Sequence, residues 1–252
     1  MMDVTDRPSP NFNDRKAKID MLVLHYTGMA SGHAALERMC DSSSEVSAHY
    51  MVWEDGKVVR LVDEAKRAWH AGVSAWQGHT DLNSHSIGIE IVNGGHDVPL
   101  PNGDLPPFPD AQMASVVSLA TDILSRHAIP QSRIVGHSDI APARKRDPGE
   151  AFPWEMLAEA GIGLWPSAPD HDLLRGVGLS RGDTGDAVTR LQEALQSIGY
   201  AIEPTGTYDA DTDLVVMAFQ RRWAQERLTG DADWMTIAKI VAVAEAVTAE
   251  TR

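Results

Sequence analysis

Apolar residues in the first 160 positions gather in short runs separated by polar breaks, with helical stripes between them. Met21–Thr27 is a continuous apolar run of strand length, and Ser86–Val92 is another. Ser47–Trp53 and Lys57–Val62 flank Glu54-Asp55-Gly56, and an Asp-Gly between two β-rich runs predicts a hairpin. Ile134 and Val135 lead into a further strand end, followed by a loop that closes at Pro148-Gly149. Between these runs the spacing predicts a helix over 33–40 and a long amphipathic helix over 110–128. The stripe of the second is Met113, Val116, Val117, Ala120, Ile123 and Leu124, with Asp110 as its N-cap. A last short helix falls near 153–160. The pattern is that of an α/β domain with a mixed central sheet flanked by helices.

The two ends read differently. Residues 1–17 carry prolines and Asn/Asp and predict a flexible arm, which leaves 18–160 as the first domain. Residues 161–178 are rich in Gly and Pro and read as a linker. From 179 to 247 turn glycines alternate with amphipathic stretches, as in Gly206-x-Tyr208-Asp209-x-x-Thr212 and Gly230-x-x-Asp233-x-x-Thr236. This predicts a small three-helix all-α domain, with Asp183, Asp209 and Asp231 at helix starts. The loops 68–85, with Trp69, His70, Trp76 and Asn83, and 93–109, opened by Asn93, are the candidates to line or rim a cleft.

Composition narrows the partners. The chain has 252 residues, 43% of them hydrophobic, enough for two domains with real cores. A net charge of −14 argues against nucleic acid and against an anionic membrane surface. The single cysteine, Cys40, rules out an internal disulfide. No run approaches the roughly 20 apolar residues of a membrane span, and the N-terminal stretch has no signal-peptide core. As the chain stands this predicts a cytoplasmic protein, or an envelope protein if an export signal precedes it.

The chemistry collects around the strand end at 134–149. His137 and Asp147 lie ten positions apart on one loop, with Lys145 two before the aspartate. Imidazole and carboxylate suit zinc, and His25, at the end of an apolar strand, is the natural third ligand. Alone, His25 reads as a hydrogen-bonded core residue, and Lys145 with Asp147 as a solvated pair. The combination is what carries weight. Glu90 joins it, since a carboxylate inside an apolar strand needs a reason to be desolvated. His49 reads as a buried histidine that shapes the sheet.

Six ordered blocks then carry a resemblance: Leu24-His25-Tyr26-Thr27, Val46-Ser47-Ala48-His49-Tyr50, Ala68-Trp69-His70-Ala71-Gly72, Ile87-Gly88-Ile89-Glu90, Gly136-His137-Ser138-Asp139-Ile140-Ala141-Pro142 and Lys145-Arg146-Asp147-Pro148-Gly149. From about 18 to 160 the chain resembles the zinc-dependent type-2 N-acetylmuramoyl-L-alanine amidases. Residues 179–247 resemble the small peptidoglycan-binding domain often joined to cell-wall hydrolases. The resemblance implies one Zn2+ held by His25, His137 and Asp147, with Glu90 moving the proton and Lys145 stabilising the oxyanion. It implies hydrolysis of the amide between N-acetylmuramic (or 1,6-anhydro-N-acetylmuramic) acid and L-alanine, in cell-wall turnover or recycling. Trp69, His70, Asn83 and Asn93 are the implied substrate contacts. Peptidoglycan or muropeptides are the implied partners, with no obligate protein partner. Ala48 stands where the phage-type branch has a catalytic tyrosine, and Glu90 places the chain in the glutamate-using bacterial branch. The alternative is a non-catalytic peptidoglycan-recognition protein that has lost its metal, but all three ligand positions are filled. No His-Glu-x-x-His motif supports a peptidase.

Overall fold

The computed structural model describes residues 4–168 and 178–250. In chain order its strands are β1 (Val4–Asp6), β2 (Phe12–Asp14), β3 (Met21–Tyr26), β4 (Tyr50–Val52), β5 (Val58–Arg60), β6 (Lys66–Ala68), β7 (Ser86–Ile91) and β8 (Ile134–Gly136). The helices are α1 (Gly32–Cys40), α2 (Leu82–His85), α3 (Asp110–Arg126), α4 (His137–Ile140), α5 (Trp154–Glu159), α6 (Asp186–Ile198), α7 (Ala210–Trp223) and α8 (Trp234–Glu250). Six strands form one sheet in the order β1-β5-β4-β7-β3-β8, while β2 and β6 make a separate antiparallel pair. The central strands β4, β7, β3 and β8 run parallel, and β5 turns back against β4. The mixed sheet with flanking helices is the architecture that the hydrophobic pattern predicts.

Alternation along β3 sorts its residues onto two faces. Leu22 and Leu24 face α3 and α5, where they pack with Ile87, Ile89, Ile91, Met113, Val116 and Ile123. Each such fully buried side chain contributes about 1.5–3 kcal/mol. Met21, Val23 and His25 therefore face the other way, where two separate apolar clusters lie. One joins Met21, Val23, Val135 and Ile140 to residues of the C-terminal helices. The other packs α1, through Ala35 and Met39, on Met51 and Val59. His25 belongs to neither cluster.

The N-terminal segment differs from the flexible arm expected of it. β1 pairs in parallel with β5, β2 pairs with β6, and Ser9 and Asn11 are buried. Arg15 explains the order. Its guanidinium donates to the backbone carbonyls of Glu64, Lys66, Asn83, Ser84 and Ser86, tying the segment to the sheet edge.

The C-terminal helices also depart from the picture of a module on a slack tether. Ile162 is buried, and Leu164 and Trp165 pack against the core; residues 169–177 of the expected linker lie outside the described residues. The helical unit shares one core with the sheet, since Val188, Leu195, Tyr200, Phe219 and Val243 cluster with Met21, Val23, Trp76 and Val135. Its internal repeat has a hydrogen-bonding basis. The Gln192 amide donates to Thr207 O and Thr212 Oγ1 and accepts from Gly206 N. The Gln220 amide does the same with Asp231 O, Thr236 Oγ1 and Gly230 N.

Some caps move by a residue or two. Asp209 caps α7, as expected. α6 starts instead after Gly185, and Asp233 rather than Asp231 accepts from Thr236 N at the start of α8. Pro109 precedes α3, so Asp110 is its first residue, where its charge still complements the helix dipole. The expected loop after Gly136 begins with the short helix α4, because the Asp139 carboxylate folds back to accept from Gly136 N at 2.8 Å.

Candidate active site

The parallel strands β3, β7 and β8 deliver their functional residues at one end of the sheet, the carboxyl end where open α/β sheets bind ligands. Register does the first part of the work. His25 of β3 lies directly beside Glu90 of β7, so both side chains leave the same face. His137 follows β8 at the first position of α4. The loop after α4 returns so that Asp147 O accepts from Ser138 N at 2.9 Å, which fixes the aspartate next to the histidine.

Three atoms converge there. His25 Nδ1 lies 2.9 Å from Asp147 Oδ2, His137 Nδ1 lies 3.1 Å from the same oxygen, and the two nitrogens are 3.0 Å apart. All three residues are buried. The surrounding hydrogen bonds decide which atoms carry protons. His137 Nε2 is 3.1 Å from Ala71 O, a carbonyl that can only accept, with Arg144 Nη2 farther off at 3.5 Å; the nearer carbonyl puts the hydrogen on Nε2 and leaves Nδ1 facing the trio. Burial foremost, and then the neighbouring His137, push His25 down to about 4, so it is neutral near pH 7. Burial pulls the Asp147 carboxyl upward, but its contacts with His137 first and His25 second hold it well below the usual carboxylate range.

The donor set fits zinc. A tetrahedral ion with ligands at about 2.0–2.1 Å holds its donor atoms about 3.3 Å apart, close to the observed triangle. Two imidazole nitrogens and a carboxylate oxygen are ligands that zinc takes, and a cation among them would offset the crowding of three electron-rich atoms in so small a space.

Around the trio lies a cavity of about 460 Å³ whose wall includes Trp69, Glu90, Lys145 and the three convergent residues. Burial, reinforced by the Asp147 charge, pushes the Glu90 carboxyl up to about 8, against the pull of Lys145. Its Oε2 is buried without a hydrogen-bond partner. Such an atom is costly unless something else is to meet it. Arg38, Arg144 and Arg146 also reach the cavity, which makes its rim cationic in a chain whose net charge is −14. Arg144 is partly committed, donating to Ala71 O and Val73 O, and Arg146 pairs with Asp97 at 3.5 Å.

The substrate contacts expected from the sequence divide. Trp69 stays on the cavity wall, its indole N–H held by Asn13 Oδ1. His70 reaches the wall, but both ring nitrogens are taken, by His25 and Ser86. Asn83 and Asn93 are corrected to structural roles. Asn83 Oδ1 accepts from His70 N and Ala71 N, and Asn93 bridges Gly95 N and the carbonyls of Pro106 and Pro107. Each is an amide spent on backbone groups that would otherwise be unpaired. The expected rim loop at 94–109 is pinned through His96, which joins Tyr26 Oη at 3.0 Å to Glu150 at 3.1 Å. His49 accepts from Gly88 N through Nδ1 and sits inside the sheet.

Comparison with known proteins follows this geometry. The family model described as N-acetylmuramoyl-L-alanine amidase matches residues 15–150, and a model for a peptidoglycan binding domain matches residues 184–240. N-acetylmuramoyl-L-alanine amidase AmiD of Escherichia coli (strain K12) is 38% identical over 237 residues, covering 91% of this chain and 82% of AmiD. The 1,6-anhydro-N-acetylmuramyl-L-alanine amidase AmpD of Enterobacter cloacae is 44% identical over 112 residues, 44% of this chain and 55% of AmpD. Among solved structures, the complex of AmiD from E. coli with its substrate anhydro-N-acetylmuramic acid-L-Ala-D-gamma-Glu-L-Lys superposes with a TM-score of 0.78 at 37% identity, over 93% of this chain and 92% of that one.

Proposed function

The chain belongs to the N-acetylmuramoyl-L-alanine amidase family, and from that premise we propose that His25, His137 and Asp147 hold one catalytic zinc ion, with Glu90 as the proton-transfer group and Lys145 as the oxyanion partner. The reaction is hydrolysis of the amide between the muramic acid lactyl group and L-alanine of the stem peptide. The observation that carries the assignment is the convergence of two imidazole nitrogens and a carboxylate oxygen within 3.1 Å, beside the Glu90 carboxyl, whose Oε2 is buried without a partner.

When bound, zinc supplies a Lewis acid that makes water acidic near neutral pH and polarises a carbonyl. The protein's own groups do the rest. Glu90 takes the proton from the attacking water and passes it to the departing amine nitrogen. Its raised affinity for a proton suits the second half of that cycle, and a cation in the trio would favour the ionised form needed for the first. Lys145 brings a positive charge to the cavity, where it stabilises the negative charge growing on the carbonyl oxygen. Arg38 and Arg146 at the rim favour a peptide that carries carboxylates. Soluble anhydro-muropeptide is the substrate form we propose, by similarity to AmiD, whose complex holds such a molecule. The helical unit adds affinity for polymeric peptidoglycan.

Two measurements test this. Zinc content should be one ion per chain in the wild type and in Glu90→Gln, and near zero in His25→Ala. Release of free stem peptide from anhydro-muropeptide should fall by roughly 10²–10⁴-fold in Glu90→Gln, as loss of a general acid–base predicts. A Glu90→Gln enzyme within a few-fold of wild type rules out Glu90 as the proton carrier.

A further inference from the structure

The second nitrogen of His25 does not face solvent or a carboxylate. His25 Nε2 lies 3.0 Å from His70 Nδ1, and the two rings meet edge to face with centroids 5.1 Å apart. A contact between two imidazoles works only if one nitrogen carries the hydrogen and the other does not. Which is which can be read from the far end of the chain. Ser86 Oγ lies 2.6 Å from Leu82 O, and its one hydrogen goes to that carbonyl. The same oxygen lies 3.2 Å from His70 Nε2, so it accepts there, and His70 carries its hydrogen on Nε2. His70 Nδ1 is then bare in the neutral ring and must accept from His25 Nε2. With Nε2 as the donor, His25 Nδ1, the atom beside Asp147 and His137, can give its lone pair to an ion.

We propose that His70 is a positioning residue for the metal site: with Ser86 and Leu82 O it forms a one-way hydrogen-bond relay that fixes the His25 tautomer and aims Nδ1 at the ion. The proposal rests on the zinc reading above. His137 reaches the same tautomer by a simpler route, through Ala71 O. The loop 70–71 thus orients both histidine ligands, one from a side chain and one from a carbonyl. The Asn83 carboxamide, which accepts from both backbone N–H groups of that loop, holds the two orienting atoms in place.

The strand makes room for this arrangement. Gly88 of β7 lies under the His70 ring, and a Cβ there would come within 2.5 Å of Cγ and 2.6 Å of Nδ1. A glycine inside a strand weakens it and often marks a close approach. Here the approaching group is the relay imidazole, 8% exposed and closed in by His25 and His49 rings.

The test is zinc affinity, measured on the full-length metal-free protein by competition with a chromophoric chelator. Loss of a partner that orients a metal ligand costs roughly 10–100-fold in affinity, and His70→Leu should fall in that range. His70→Asn places an amide oxygen near the position of Nδ1, still accepts from His25, and should bind within about 3-fold of wild type. A purely structural role would not separate these two variants. If either variant folds poorly, long-range ¹H–¹⁵N spectra of the imidazoles in the zinc-loaded wild type give an independent answer: His70 should be the Nε2–H tautomer, and Ser86→Ala should shift it toward a mixture. Equal zinc affinity in wild type and a folded His70→Leu overturns the proposal, as does an Nδ1–H tautomer for His70. Absence of zinc binding in the wild type would instead refute the metal reading itself.

Discussion

Replacing Arg222 by methionine asks whether the helical unit is a structural part of the catalytic fold. The guanidinium is buried and makes three kinds of contact. Nη1 donates to Asp139 Oδ2 at 3.0 Å, Nη2 donates to Ile134 O at 2.8 Å, and the plane lies 4.3 and 4.2 Å from the ring centroids of Trp154 and Trp223. Methionine keeps much of the apolar contact. It leaves the Asp139 carboxylate, whose side chain has 0% exposure, with two neutral donors, Gly136 N and Tyr200 Oη. Removing one partner of a buried ion pair costs about 3–5 kcal/mol. For a chain of this size about 2–4 °C is lost per kcal/mol, so Tm should fall by roughly 6–20 °C.

The site should feel the change as well. Asp139 sits two residues beyond His137, and the oxygen that accepts from Arg222 also accepts from Gly136 N. Zinc affinity should therefore weaken together with stability. Asp139→Asn/Arg222→Met removes both charges and should recover part of the loss, a coupling of about 2 kcal/mol or more. Thermal melts of the three variants, followed by circular dichroism, give the cycle. An Arg222→Met protein that melts within 2 °C of wild type refutes the reasoning, and so does a strictly additive double variant.

Three further outcomes follow from the same contacts. A chain ending at residue 178 uncovers Met21, Val23, Trp76, Val135 and Ile140, which share their core with the helices, and should aggregate; a soluble, monodisperse truncation with the wild-type melting temperature would contradict this. In the metal-free protein the Glu90 carboxyl is raised from 4.5 to about 8, so its ionised form is penalised in the fold. The penalty is absent below the unfolded value and grows as pH rises toward about 8, so the stability advantage of Glu90→Gln should be near zero at pH 4 and a few kcal/mol at pH 8; urea melts showing a constant gap would exclude it. Asn83→Leu leaves two buried backbone N–H groups without an acceptor and should cost about 2–4 kcal/mol, while KM for muropeptide stays within about twofold; a raised KM with unchanged stability would restore Asn83 as a substrate contact.

What could be read before folding, and what could not, separates along a physical line. β3, β7 and α3 were legible because apolar period is a property of the residues themselves, and Glu90 stood out because a carboxylate in an apolar run is anomalous in any fold. The two histidines and the aspartate carry chemistry that few other residues supply. Side chains that serve the backbone left no comparable trace. Arg15 donates to five carbonyls, yet every residue has a carbonyl, so no pattern marks its partners. Asn83 sits in a loop rich in Trp and His and reads as cleft-lining, but the unpaired N–H groups of His70 and Ala71 decide where its oxygen goes. Arg222, in the last turn of α7, is buried, and nothing in the apolar spacing around it marks Asp139 as its partner.

Gly199 and Tyr200 show why the docking of the helical unit was equally hidden. A Gly-Tyr pair after a helix reads as a C-terminal stop. In the structure Gly199 also packs closely on the amidase unit, since a Cβ there would lie 2.6 Å from Trp76 Cε2. Tyr200 meets Trp76 edge to face with centroids 5.0 Å apart and donates to Asp139 Oδ1 at 2.9 Å. The repeat of Gly, Asp and Thr positions describes how the helices hold one another, and says nothing of which outer face is covered. That face meets the underside of the loop that carries His137 and Asp147, so Tyr200 and Arg222 hold the two oxygens of the one carboxylate that caps α4. A substitution that loosens the helical unit must then act on His137 through Asp139. The unit assigned to wall binding and the unit assigned to cleavage share their most sensitive joint.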